Sequence, residues 1–181
     1  MQLFWQRGYE RCSIGDIVAA AGVRSGSLYH FFKSKEDVLI AVLETYLVSL
    51  APHVMEPAFA RERDPIERVF AVLADYRERL VSTGFSYRCP IGSLALEMGN
   101  VSEAARALIN ENFAAWRAAI ASCFDAAAAR FRKGVDRKAL AALVLTVMEG
   151  GVMQAAAERS AAPYDASIAQ LRSYIYSLTK K

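Results

Sequence analysis

The sequence has few of the residues that build strands, disulfide frameworks or frequent turns. Alternating runs of Val, Ile and Thr are missing, which argues against a fold made of half-buried strands. The three cysteines, Cys12, Cys89 and Cys123, are odd in number and far apart. They cannot complete a disulfide framework and their spacing fits no zinc site, so we expect a cytoplasmic protein with no metal and no cofactor.

A signal segment and a membrane span are not expected either. The start, MQLFWQRGYERC, lacks the apolar run of a signal peptide. The longest apolar run, residues 139–148, is about half of the roughly 20 residues that a span requires. We therefore predict no membrane partner.

Charge of one sign is not in large excess, because 22 Lys and Arg residues stand against 19 Asp and Glu residues. The net charge of +3 is concentrated at the start of the chain. Residues 1–35 contain Arg7, Arg11, Arg24, Lys33 and Lys35 but only two acidic side chains, Glu10 and Asp16. A local basic surface can bind phosphates, whereas the total charge alone indicates little.

What is present is helical periodicity with abundant alanine, and Gly and Pro fall at plausible helix ends. The chain is 54% hydrophobic, which is enough for a substantial core. The sequence predicts an all-α fold of about nine helices. These span residues 1–7, 13–20, 24–31, 35–50, 65–82, 90–98, 103–132, 137–158 and 165–179.

A helix-turn-helix is predicted within the first quarter of the chain. Ser13 is a good N-cap, and Gly22 suits the left-handed turn between two short helices. In the second helix, Leu28 and Phe32 face inward at a spacing of four. Exposed positions remain for Arg24, Ser25, Ser27 and Tyr29. The alternative is a small three-helix subdomain with a solvated basic surface.

This region resembles the DNA-binding domain of tetracycline-repressor-type (TetR family) regulators. The matching segments are Gly8-Tyr9, Ser13-Ile14, Asp16-Ile17, Ala21-Gly22-Val23, Gly26-Ser27-Leu28-Tyr29 and Phe32-x-Ser34-Lys35-Glu36. The resemblance implies a three-helix DNA-binding domain over residues 1–43 and a helical effector-binding and dimerisation domain over residues 44–181. It also implies a homodimeric, ligand-responsive repressor of a palindromic operator in double-stranded DNA. Relatives usually have a longer first helix and often a basic arm. Met1 is therefore the genuine first residue of a short protein, a misplaced start or the first residue of a trimmed sequence.

The resemblance assigns roles by position. Arg24, Ser25 and Ser27 would face the major groove, while Tyr29, His30 and Lys35 would contact phosphates. For His30, a partly buried ring without a charge role is the alternative. The full predicted DNA-binding set is Ser13, Arg24, Ser25, Gly26, Ser27, Tyr29, His30, Lys33 and Lys35.

The last two predicted helices are apolar on more than one face, and such helices must bury both faces. One face can serve the core of the chain while the other packs on a second copy. A core formed wholly within one chain is the alternative. The predicted dimer residues are Leu140, Val144, Val147, Gly151, Ile168, Leu171, Ile175 and Leu178.

Aromatic and methionine residues in the middle of the chain are candidates for an effector pocket, which indicates an apolar or aromatic ligand. They are equally compatible with simple core packing. The candidates are Phe59, Tyr76, Phe85, Tyr87, Cys89, Leu94, Met98, Phe113, Trp116 and Met148.

Cys89 supports a second hypothesis, in which its thiol senses electrophiles or oxidants. Pro90 fits the first position of a helix, which places Cys89 at the N-cap, where the helix dipole and Arg88 favour a thiolate. Residues 89–97 also resemble a Cys-x-x-Gly-x-Leu-Ala-x-Glu signature of one subgroup, some members of which respond to such reagents. The alternative is a small buried residue, which is also the role we expect for Cys12 and Cys123.

An enzyme is not predicted, because the sequence has no GxSxG, HExxH, P-loop or dinucleotide-binding motif. His30 and His53 lie in different segments without an evident nucleophile or metal cluster. A helical adaptor or a small helical enzyme is the remaining alternative to a regulator.

Overall fold

The computed structural model describes residues 2–97 and 102–180, without the side chains of Gln2, Trp5 and Gln6. Within these residues the prediction of an all-α fold is confirmed. The ten α-helices are α1 (Gln2–Arg7), α2 (Ile14–Ala21), α3 (Ser25–Phe31), α4 (Lys35–Leu50), α5 (Glu56–Arg61), α6 (Pro65–Ser82), α7 (Pro90–Glu97), α8 (Glu103–Ala126), α9 (Arg137–Glu158) and α10 (Ala162–Ser177). A π-helical segment, Ala51–Met55, joins α4 to α5, and a 3-10 turn, Ala128–Arg130, follows α8.

Prolines cause the main errors in the predicted helix boundaries. The helix predicted over 35–50 does not stop before Pro52 and Pro57, because the chain stays helical from Lys35 to Arg61. Leu50 and Met55 have right-handed helical backbone angles, so both prolines lie inside a continuous helix, and Pro52 falls in its π-helical segment. Pro163, in contrast, lies in the first turn of α10, where a proline loses no intrahelical hydrogen bond, so α10 begins at Ala162 and not at residue 165. The helix predicted over 103–132 ends at Ala126.

The first of two compact units comprises Met1–Val48 and Cys89–Phe113. Its core includes Phe4, Leu39, Leu43 and Leu94, all no more than 2% exposed. Asn112 Nδ2 donates to the Leu43 carbonyl at 3.2 Å and so connects α8 to α4. The predicted domain boundary after residue 43 differs from this grouping, because α7 and the first half of α8 share the apolar core of α1 and α4.

The second unit comprises Ser49–Arg88 and Ala114–Lys181, and its centre is the packing of α6, α9 and α10. Tyr164 is 1% exposed, and its hydroxyl donates to the Leu73 carbonyl at 2.8 Å. A Cβ built on Gly151 would lie 2.9 Å from the Tyr164 ring, so only glycine permits this approach of α9 to α10. Arg77 and Asp165 form a bidentate ion pair between α6 and α10, with N–O distances of 2.6 and 2.9 Å.

Two helical stretches, Lys35–Arg61 and Arg137–Glu158, are long and apolar enough to cross a membrane by length and composition alone. Scattered polar residues interrupt the apolar runs of both stretches without making either helix polar as a whole. The longest uninterrupted apolar run is therefore much shorter than the helix that contains it. Core helices of soluble proteins meet the same criterion. The absence of a membrane partner stays a prediction.

The Tyr164 hydroxyl should contribute measurably to the stability of the second unit. We expect Tyr164→Phe to lower the free energy of unfolding by about 1 kcal/mol, the usual contribution of one hydrogen bond. Urea unfolding followed by circular dichroism measures this change. Tyr29→Phe is the matched control, because Tyr29 is 53% exposed and loss of its hydroxyl should leave the unfolding midpoint unchanged. Equal midpoints for wild type and Tyr164→Phe would contradict the assignment.

Candidate functional site

Capping groups fix both ends of α2. Asp16 N donates to Ser13 Oγ at 3.1 Å, and Ser13 N donates to Asp16 Oδ2 at 2.9 Å, which completes a capping box. At the other end, Gly22 has a φ of 66° and donates its N–H to the carbonyls of Ala19 and Val18. This left-handed residue ends α2 and lets α3 begin at Ser25. The predicted helix-turn-helix is therefore present, with its N-cap at Ser13.

Helix α3 presents nearly all of its side chains to solvent. Leu28 is its one buried residue, at 8% exposed. The predicted DNA-binding residues of this segment are all exposed, and they are Arg24, Ser25, Gly26, Ser27, Tyr29 and His30. The exposure of His30 removes the alternative of a partly buried ring. Phe31, which is not among the predicted DNA-binding residues, is 75% exposed. Its ring makes an edge contact with the His30 ring, with 5.0 Å between the centroids.

Two of the predicted phosphate-binding residues already have partners within the chain. Lys35 Nζ donates to the Tyr9 carbonyl at 2.8 Å and lies 4.2 Å from the centre of the Tyr9 ring. The N–H and hydroxyl of Ser13 are both engaged by Asp16. Lys33, in contrast, is exposed in the segment between α3 and α4. The local structural roles of Lys35 and Ser13 are clear, and their DNA contacts remain predictions.

One basic side chain in the described part of this segment is paired with an acid, and three others are not. Arg7 pairs with Asp16 at 3.0 Å. Arg11, Arg24 and Lys33 form no ion pair with any residue that the structure describes. The hydrogen bonds from Ser13, supported by Arg7, hold the pKa of Asp16 below its usual value of 3.8. Exposed cations at both ends of an exposed helix suit a polyanion such as DNA.

The effector candidates fall into both compact units. In the second unit Tyr76, Trp116 and Met148 are buried, and Tyr76 contacts the Tyr87 ring at 6.2 Å between centroids. Phe59 and Phe85 are partly exposed. The indole Nε1 of Trp116 is buried without a hydrogen-bond partner among the described residues.

In the first unit, Cys89 and Leu94 belong to the apolar core, and Phe113 packs against it. Met98 lies outside the described residues. Cys89 directly precedes α7, as predicted, but its side chain is only 6% exposed. The other two cysteines are buried as well, and burial raises the pKa of the Cys12 and Cys123 thiols. These surroundings favour a packing role for Cys89 over a reactive one.

The face predicted for dimerisation is partly used within the chain. Leu140, Val144, Gly151, Leu171 and Ile175 are buried, whereas Val147, Ile168 and Leu178 are partly exposed. An open groove of about 620 Å³ remains on this face of α9 and α10. Outside the predicted dimer residues, its lining includes Leu143, Thr146, Gly150, Gln154, Gln170 and Tyr174. No group of His, Cys, Asp or Glu side chains in the described part of the chain could hold a metal ion.

Comparisons with known proteins agree with these features. Residues 1–42 match the family of bacterial regulatory proteins called tetR, and residues 65–170 match the C-terminal domain of LmrA/YxaF-like transcriptional regulators. An uncharacterized HTH-type transcriptional regulator of Mycobacterium tuberculosis is 30% identical over 96% of this chain and 88% of its own. The repressor DhaR of a Mycobacterium species is 26% identical over 91% of this chain and 82% of its own length. The crystal structure of a regulatory protein TetR from Rhodobacter sphaeroides superposes on this structure with a TM-score of 0.85. The two are 26% identical, and the match covers 94% of this chain and 91% of the other.

The lowered pKa of Asp16 predicts a pH-dependent contribution to stability. A carboxylate with a lowered pKa in the folded state stabilises the protein above its unfolded pKa and loses this effect as the pH falls through the folded value. We expect Asp16→Asn to lower the melting temperature at pH 7, and we expect the difference from wild type to shrink below about pH 4. Thermal melts at a series of pH values measure this difference. A gap that is constant from pH 7 to pH 3 would show that the Asp16 charge contributes nothing.

Proposed function

Because the chain belongs to the TetR family of bacterial transcriptional regulators, we propose that it is a homodimeric repressor that an apolar or aromatic effector releases from a palindromic operator. The chain is a ligand-responsive DNA-binding regulator, in agreement with the family resemblance of its first quarter. The observation that carries the proposal is the exposure of α3, which buries Leu28 alone and presents the rest of its surface. A repressor of this kind would act on DNA in the bacterial cytoplasm, and its binding would require no enzymatic step.

DNA recognition is assigned to the N-terminal half of α3. Arg24 is the N-cap residue of this helix and is exposed, so its guanidinium can reach a guanine edge in the major groove. Ser25 and Ser27 follow on the same helix and can bond to base edges or phosphates. Tyr29, His30 and Lys33 would hold the sugar-phosphate backbone and set the register of the helix.

A second copy of the chain is the occupant that we assign to the groove on α9 and α10. The groove combines apolar side chains, such as Leu143 and Val147, with small ones such as Gly150 and Ser167. A Cβ on Gly150 would meet nothing within 4 Å, so close helix approach at this point is open to a partner. A twofold pair would present two α3 helices about 34–36 Å apart, one turn of the duplex.

The effector is assigned to the buried aromatic region of the second unit. Trp116 Nε1 needs an acceptor that the described residues do not supply, and a ligand carbonyl or ether oxygen would satisfy it. Ligand binding would then change the tilt of α4 and the separation of the two α3 helices. A coupling of about 1–3 kcal/mol is sufficient for switching. The thiol-sensor alternative requires Cys89 to be reached by reagents, and its 6% exposure argues against that.

Selection of bound sequences from a pool of random duplexes tests the proposal. The purified protein should enrich one near-palindromic sequence. Small molecules that raise its melting temperature should then release that duplex in a gel shift. Failure to enrich any sequence would overturn the proposed function, and release by no stabilising molecule would overturn its effector-dependent part.

Arg24→Ala should relax the sequence preference of the protein. We expect a loss of about 1–3 kcal/mol at one base pair of each half-site, with little loss on duplexes already mutated there. Arg11→Ala is the matched control, because Arg11 is also exposed and carries the same charge. It should weaken binding to all duplexes alike. Uniform weakening by Arg24→Ala would instead assign Arg24 to a phosphate contact.

Gly150→Glu should prevent dimerisation without disturbing the fold of one chain. A Cβ at this position meets nothing within 4 Å in one chain, whereas the added carboxylate would be buried between two copies. Sedimentation at micromolar concentration should give a dimer for wild type and a monomer for the variant. Ala157→Glu is the control, because Ala157 is exposed on α9 and does not line the groove. A Gly150→Glu dimer as stable as wild type would place the interface elsewhere.

A further inference from the structure

The carboxylate of Glu97, the last residue of α7, is inserted into the turn between α1 and α2. Its Oε2 accepts a hydrogen bond from Glu10 N at 3.1 Å, although 87 residues separate the two. Gly8 has a φ of 80°, and a Cβ built on it would overlap Glu97 Oε1 and lie 2.9 Å from Cδ and Oε2. The carboxylate thus occupies space that only a glycine leaves open.

The same turn is held from α4. Lys35, the first residue of α4, donates its Nζ proton to the Tyr9 carbonyl at 2.8 Å, and the Glu10 carbonyl lies 3.5 Å from the same nitrogen. The Glu97 carboxylate therefore holds the turn at residues 8–12 through a backbone N–H, and the Lys35 ammonium group holds it through two backbone carbonyls. We refer to these contacts of Glu97 and Lys35 as the turn clamp.

The turn clamp matters because the helix-turn-helix has little apolar anchoring of its own. Helix α2 has no fully buried residue, and α3 has only Leu28. Helix α2 starts at its Ser13 cap, directly after the clamped turn. Because Ile17 of α2 is only partly buried where it packs against the core, the position of α2 and α3 depends strongly on where this turn is held.

Helix α7 connects the turn clamp to the core of the first unit. Ile91 is 4% exposed and Leu94 is 1% exposed, and both pack in the core that contains Phe4 and Leu39. The helix has 8 residues, a length of about 12 Å, and is too short to bend appreciably. A displacement of α7 therefore moves the Glu97 carboxylate with it.

From this geometry we infer that Glu97 is a positioning residue for DNA binding, which holds the helix-turn-helix in place through the N–H of Glu10 and transmits the position of α7 to it. This inference rests on the proposed function, because operator binding is the activity that it modulates. Glu97 itself is not assigned a DNA contact.

Three single variants separate this role from general effects of charge. Glu97→Ala removes the acceptor, and loss of a hydrogen bond to a charged group should weaken operator binding about tenfold. Glu97→Gln keeps an acceptor oxygen and should restore affinity to within about threefold of wild type. Glu10→Ala is the matched control, because it removes the same charge from the same turn but keeps the backbone N–H that Glu97 binds. It should bind at least as tightly as wild type.

Gly8→Ala provides an independent test, because its methyl group displaces the carboxylate. The cost of Gly8→Ala in operator binding should be several-fold smaller in the Glu97→Ala background than in wild type. Strain from the positive φ is present in both backgrounds and cancels in this comparison. Additive effects of the two substitutions would contradict the inference.

Amide hydrogen exchange tests the contact without DNA. The Glu10 amide should exchange at least tenfold faster in Glu97→Ala than in wild type, while Glu97→Gln stays near the wild-type rate. If wild type enriches an operator but Glu97→Ala binds it equally well, the inference is wrong and the proposed function stands. If wild type enriches no operator, the proposed function fails, while an unchanged Glu10 exchange rate would overturn the contact itself.

Discussion

A helix that displays its surface to DNA cannot use that surface to stabilise itself. Helix α3 has seven residues and buries one side chain, Leu28. A helix this short has little stability alone in water, so its geometry must be imposed from outside. The Ser13 and Gly22 caps, the ion pair of Arg7 with Asp16 and the core of the first unit together impose it.

The local signals in the sequence were sufficient for the fold class and most helix starts. Asp64 and Asp136 cap α6 and α9 as their residue types predict, because N-caps depend on the nearest few residues. The errors lie where a proline either stays inside a continuous helix, as at Pro57, or begins a helix, as at Pro163. Neighbouring residues alone do not decide between these two roles.

The DNA-binding surface was more predictable than the dimer face, because the first depends on a local pattern and the second on contacts between distant residues. Exposure of Arg24 and Tyr29 follows from the local helix-turn-helix pattern, and it holds in the structure. On α9 and α10, periodicity shows that two faces are apolar but not which face the chain itself covers. Val144 and Ile175 are fully buried, whereas Tyr174 is half exposed. The contact of Glu97 with Glu10 could not be foreseen, because it joins residues that are distant in the sequence and depends on the space at Gly8.

In the proposed repressor, two copies of α3 read two successive major grooves of one duplex. Hydroxyl-radical footprinting of the wild-type protein on its selected duplex tests this most directly. We expect two protected half-sites related by a twofold axis, with centres about 10–10.5 base pairs apart or a multiple of that spacing. A single protected site bound by one chain, or uniform protection without a fixed register, would contradict it.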